Sequence, residues 1–246
     1  MAPPLHFQTS IMTIRRLALT ALALSLSFAA HAAQDISGVE IGSDFTAAKP
    51  LMMKANAGYQ ITDLTQGGKV MGYNAIFLKD GNPVDQLVVL QNASGKVWFV
   101  ARGQRLTQGE RIKHETLLSS LRQKYGPESA ISLGSNGPHW QFDRKGAIYK
   151  GDLSTGPCKG MVGGGVDLGK VTNANINVPR SFAPTCGVNI DAPMFVDKDG
   201  MVFAFTLQLI DGKAMFDELT SKDQAAKDEH QRKLDAERAR DVKPKL

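Results

Sequence analysis

The side chains able to do chemistry are few and far apart. Cys158 and Cys186 are the only cysteines in 246 residues, and neither belongs to a CxxC pair or stands at a metal-ligand spacing from a histidine. A catalytic thiol or a metal site with His114 or His139 as partner would need such company. An even pair in an oxidising compartment is most simply one disulfide, and closing a loop of 28 residues stabilises the fold by about 3 kcal/mol in the chain-entropy model. His114, with Glu110 at i−4, fits a surface ion pair. His139, before Trp140, fits a turn, and His230 falls in a charged tail. There is no GxSxG and no HExxH.

Two further stretches imitate sites. Gly163-Gly164-Gly165 lacks the GxGxxG or GxxxxGK[ST] frame that places a glycine loop between a strand and a helix, so it reads as a flexible turn. Asp197-Lys198-Asp199-Gly200 opens like a calcium loop but has neither the third acidic position nor the closing Glu, and a β-turn is expected. No metal, cofactor or catalytic residue is therefore expected. The alternative is an envelope hydrolase whose catalytic groups are scattered through the sequence, as such groups can be.

The N-terminus bears on all of this. Arg15-Arg16 precede an apolar run from Leu17 to Ala30, and no acidic residue occurs before Asp35. Ala30 and Ala32 form an A-x-A site, so residues 1–32 read as a secretory signal peptide cut between Ala32 and Ala33. The run is shorter than the ~20 residues needed to cross a bilayer. Met12 is a second candidate start. No Cys stands at the cleavage site, so no lipid anchor is indicated, and no later run is long enough to span a membrane. The expected address is the periplasm or the medium, with no membrane span in the mature chain. The full chain carries 29 Lys and Arg against 24 Asp and Glu, and losing Arg15 and Arg16 with the signal leaves a net charge too small to argue for nucleic acid.

Behind these residues the pattern is α+β with antiparallel sheet. Ser43 and Asp44 open a helix carrying Phe45, Ala48, Leu51, Met52 and Ala55 on one face, which Pro50 should kink or shorten. Four strands follow, at 59–64, 69–78, 84–91 and 96–102, joined by short Gly/Asn turns that favour antiparallel neighbours. Thr107-x-x-Glu110 is a capping-box pattern predicting a second helix over 109–125, with Leu117, Leu118, Leu121 and Tyr125 as its apolar stripe. Short strands return at 129–133, 139–143 and 147–150. Residues 151–193 form an irregular excursion, with 166–168 and 175–178 as candidate strands inside it. Met201–Leu209 alternates cleanly, so it is expected to be a central strand with one face deeply buried. From Lys213 a charged helical tail docks through its first turns and then runs into solvent. The implied organisation is a first αβ unit over 33–127, a second β-rich unit with the disulfide loop over 128–212, and the tail over 213–246.

Binding residues are sought on the sheet. Strict alternation puts Val97, Phe99 and Ala101 on one side and Trp98, Val100 and Arg102 on the other. Trp98 and Arg102 are a recognition pair if that face is open, and the alternative is that the sheet is covered twice and Trp98 covers the second face or a domain junction. Trp140 and Tyr149 are the corresponding candidates in the second unit. A protein or envelope component, bound without catalysis, is the expected partner.

Two segments carry a resemblance. Gly38-Val39-Glu40-Ile41-Gly42-Ser43-Asp44 stands before one helix, and Gly95-Lys96-Val97-Trp98-Phe99-Val100 before another that ends Lys124-Tyr125-Gly126-Pro127. Over about residues 35–128 the chain resembles exported bacterial proteins with tandem helix-plus-antiparallel-sheet units, the group of the β-lactamase-inhibitor proteins and the small outer-membrane assembly lipoproteins. It departs from the lipoprotein branch in lacking a lipidated Cys, and no inhibitory loop matches residue by residue. The resemblance implies a binding module of unnamed partner.

Overall fold

A computed structural model describes residues 34–132, 137–161 and 176–240. The start positions, Ala32 and Ala33 included, lie outside the described residues, as do the three glycines and the 166–168 segment.

A small hairpin, β1 (Asp35–Ile36) and β2 (Val39–Glu40), turns through Ser37-Gly38, both at positive φ. The next residues are pinned to the sheet rather than capping a helix. Ser43 Oγ donates to Glu40 O, and Val97 N donates to Ser43 O. After a 3₁₀ turn at Phe45–Ala47, α1 runs over Ala48–Ala55. Pro50 therefore falls in the first turn, where a missing N–H costs no intrahelical bond, and the helix is shortened rather than bent.

The four strands β3 (Gln60–Gln66), β4 (Lys69–Lys79), β5 (Asn82–Gln91) and β6 (Val97–Arg105) form an antiparallel meander. The Thr107/Glu110 capping box makes its side-chain bonds but starts no helix. Ile112–Lys113 instead form β7 against β12, and α2 spans His114–Tyr125. After it come β8 (Ala130–Ser132), β9 (Gly137–Asp143), β10 (Cys186–Asp191), β11 (Met194–Val196), β12 (Met201–Asp211) and α3 (Gly212–Arg238). Asp211 caps α3, accepting from Ala214 N at 2.8 Å.

One sheet holds them in the order β3-β4-β5-β6-β12-β10-β9-β8. Each half is a helix followed by an antiparallel run, β3–β6 in the first and β8–β12 in the second with β11 a short strand against β12, and the last strand of each, β6 and β12, pair along the centre. Met201–Asp211 is central, as its pattern predicts. Burial differs from the expectation, however: Leu207 and Leu209 are buried on one side, and Ala204, Thr206 and Gln208 on the other. The sheet is covered twice.

The first cover is α1, α2 and the β1–β2 hairpin. Met52, Phe45, Ile36 and Val39 pack with Leu87, Val89 and Val100, and Leu117, Leu121 and Tyr125 pack with Trp140 and Ile190 in the same cluster. The second cover is thinner. Residues 176–182 and the first turns of α3 bring Ile176, Val178, Phe182 and Met215 over Val88, Leu90, Trp98, Phe99 and Ile210. The Cys158–Cys186 disulfide ties the excursion to the start of β10. Gly187, next to it, admits no side chain, since a Cβ there would run into Asp143 O. No helix among the described residues is long and apolar enough to cross a membrane. Past Thr220 nearly all of α3 is exposed.

Candidate functional site

Trp98 and Arg102 do not share a face. The register between β5 and β6 slips, with Leu90 opposite Phe99 but Gln91 opposite Val97, so Trp98 is the extra residue of a β-bulge. Downstream of it the sides exchange. Val97, Val100 and Arg102 face the helices, while Trp98, Phe99 and Ala101 face the thinner cover. The open recognition pair is thus corrected on two counts. Trp98 is 6% exposed, edge-on to Phe182 at 5.5 Å. Arg102 is held by Asp85 on β5, through Nε to Oδ1 at 3.0 Å and Nη2 to Oδ2 at 2.6 Å, and donates from Nη1 to Ser37 Oγ.

Neither second-unit candidate stands on an open face. Trp140 is fully buried, its Nε1 donating to Gly126 O at 2.8 Å and its ring against Tyr125. Tyr149 is half-buried, and its hydroxyl bonds Thr155 Oγ1 at 2.9 Å. Of the histidines, His114 meets Glu115 at 3.3 Å rather than Glu110, which is engaged by Lys79 and Thr107. These bonds hold the Glu110 carboxyl at about 2. The Asp197–Gly200 segment is the expected β-turn, with Asp197 Oδ1 accepting from Asp199 N and Met201 N. Among the described residues no three His, Cys, Asp or Glu side chains are placed to hold a metal.

Two cavities open on the thinly covered face, sharing a wall at Pro179. The larger, about 460 Å³, has Trp98 on its floor with Leu64, Met71, Leu90 and Met215 around it, and a polar rim that includes Arg180 and Glu218. Its outer border is β3, which among the described residues pairs only with β4 and so is an edge of the sheet they form. Leu64, Thr65 and Gln66 line the cleft from that edge. The methionines are flexible, polarizable lining that adapts to varied shapes.

The smaller, about 310 Å³, is polar. His139 lies within β9, where the expected 139–143 strand puts it, directly opposite Asp191 of β10. Its Nδ1 is 2.6 Å from Asp191 Oδ1, and Asn189 Nδ2 donates to Asp191 Oδ2 at 2.8 Å. His139 Nε2 is buried and meets no partner among the described residues. In a neutral imidazole, Nδ1–H donation to the carboxylate would leave Nε2 as an acceptor. Gln141 lies opposite Asn189, and Gln208 of β12 opposite Asp191. The five therefore form two cross-strand rows on one face. Nothing in the sequence pairs residues 52 positions apart; only the sheet order does.

With this geometry in hand, no family model, characterised protein or solved structure matches the chain.

Proposed function

We propose that the chain is an exported, non-catalytic binding protein that takes an extended segment of a protein or envelope partner along β3. The observation that supports this most is the coincidence of a seven-residue open edge with an apolar cleft at its end. An edge strand offers main-chain hydrogen bonds, and a side pocket selects the residue that enters it. Trp98 keeps a role in this reading as the floor of the pocket, reached from the edge. Arg102, Trp140 and Tyr149 serve packing and internal bonding. The disulfide is compatible with the exported, periplasmic address that this reading takes from the N-terminal sequence pattern.

The test is selection of random displayed peptides on the immobilised full chain. Enriched peptides should be extended, carry one large apolar residue, and lose binding to Met71→Glu, which charges the cleft wall while the circular dichroism spectrum stays unchanged. Absence of enrichment, or equal binding by Met71→Glu, overturns the reading. The hydrolase alternative rests on the His139–Asp191 pair. Turnover of a peptide, ester or peptidoglycan substrate that disappears in His139→Asn would establish it instead.

A further inference from the structure

We infer that the polar cavity over β9, β10 and β12 is a binding site for a small carboxylate-bearing amide, the size of an acylated amino acid or a free peptide C-terminus. Gln141, Asn189 and Gln208 are only 7%, 7% and 5% exposed. Burying such groups without full pairing is unfavourable, yet they face a cavity instead of an apolar cover.

The bonds already made dictate what is left to offer. Cys158 N donates to Gln141 Oε1 at 3.4 Å and Asn177 N to Gln208 Oε1 at 2.8 Å. Both carboxamide oxygens are engaged, so the NH₂ ends are the groups available to a guest. Both oxygens of Asp191 are already hydrogen-bonded, to His139 and Asn189, so neither is the group left over for a guest. Lys159 adds an exposed ammonium on the rim with no ion pair among the described residues. Two neutral donors and one cation match a single negative charge with several acceptor lone pairs. Asn189, having donated its Nδ2, keeps Oδ1 as an acceptor suited to an amide N–H. A phosphate dianion fits worse, since Asp191 stands beside a single lysine. Leu153, Met161 and Ile210 supply apolar wall for the remainder of the ligand. The volume lies at the lower end of the ~300–1,000 Å³ of small-molecule sites.

The experiment is calorimetric titration of the full chain, disulfide intact, with N-acetylglycine. Saturable binding is expected, about tenfold weaker for N-acetylglycinamide and at least about tenfold weaker in Gln208→Leu, since a hydrogen bond to a charged group is lost. Lys159→Ala should weaken it about three- to fivefold, in line with an exposed charge, and it decides the matter if Gln208→Leu does not fold. No saturable binding, equal affinity for acid and amide, unchanged affinity in Lys159→Ala, or tighter binding of inorganic phosphate each overturns the inference. Met71→Glu should leave this titration unchanged, so the outcome is independent of the β3 cleft.

Discussion

Replacing Arg102 by Met should destabilise the protein severely without touching the Trp98 cleft. The guanidinium makes two bonds to Asp85, whose side chain is 7% exposed, and one to Ser37. Met fills the aliphatic volume but leaves a buried carboxylate without its counter-charge. Removing one partner of a buried pair costs about 3–5 kcal/mol. Tyr59, whose buried hydroxyl lies beside both Asp85 and Arg102, can donate to the freed carboxylate and recover part of this, so the lower figure is the better expectation. Burial, and then the charge of Asp85, already push the Tyr59 phenol well above its ordinary range. With a urea dependence of roughly 2 kcal/mol per M for a domain of this size, the unfolding midpoint should fall by about 1.5 M. The double variant Asp85→Leu/Arg102→Met removes both charges and should lie within about 1 kcal/mol of the parent, because such replacements are often neutral or better. A single-variant loss below 1 kcal/mol refutes the structural role given to Arg102. So does a double variant no more stable than the single one.

Other expectations follow from the same geometry. Replacing both cysteines by Ser should cost about 3–4 kcal/mol by the loop-entropy argument, seen as a fall in melting temperature that a reductant reproduces in the parent and leaves absent in the variant. The Arg122 bonds hold the Glu128 carboxyl at about 2, below its unfolded value near 4.3. Its contribution is therefore present above that unfolded value and lost as pH falls toward 2, so Glu128→Gln should flatten the acid limb of a stability profile between pH 4 and 2. Ending the chain at Thr220 should leave the melting temperature within about 2 °C of the parent, since the residues beyond are exposed. A larger drop would show that the distal helix is packed. Gly187→Ala should destabilise by at least about 2 kcal/mol in urea titration, because the new methyl meets Asp143 O in the sheet.

What was legible in the chain was the part where local chemistry agrees with the fold. Short Gly/Asn turns and alternating apolar residues marked β3 to β6, and the strand at Met201 carried its own period. The strand Cys186–Asp191 was hidden because Gly187, Asn189 and Asp191 resemble turn formers. They are polar or small for a reason residing elsewhere: two face the cavity, and Gly187 accommodates the close approach of β9. The capping box at Thr107 misled because its mutual bonds form equally well in a turn, and β12 then claims Ile112–Lys113 as a strand. Trp98 could not be placed by alternation, since a bulge reverses the faces without a sequence mark of its own.

The seam at β6 and β12 has a consequence for how the molecule comes to be. Val100 and Leu209 are paired neighbours at the middle of the sheet although 109 positions separate them in the chain. The strand at the centre is thus the last of the described strands to leave the ribosome. Until it arrives, the first half presents β6 as a second bare edge and cannot complete its core. High contact order of this kind makes folding slow. Assembly therefore waits on the C-terminal strand, and a chain interrupted before it should be a substrate for chaperones and proteases rather than a half-folded domain.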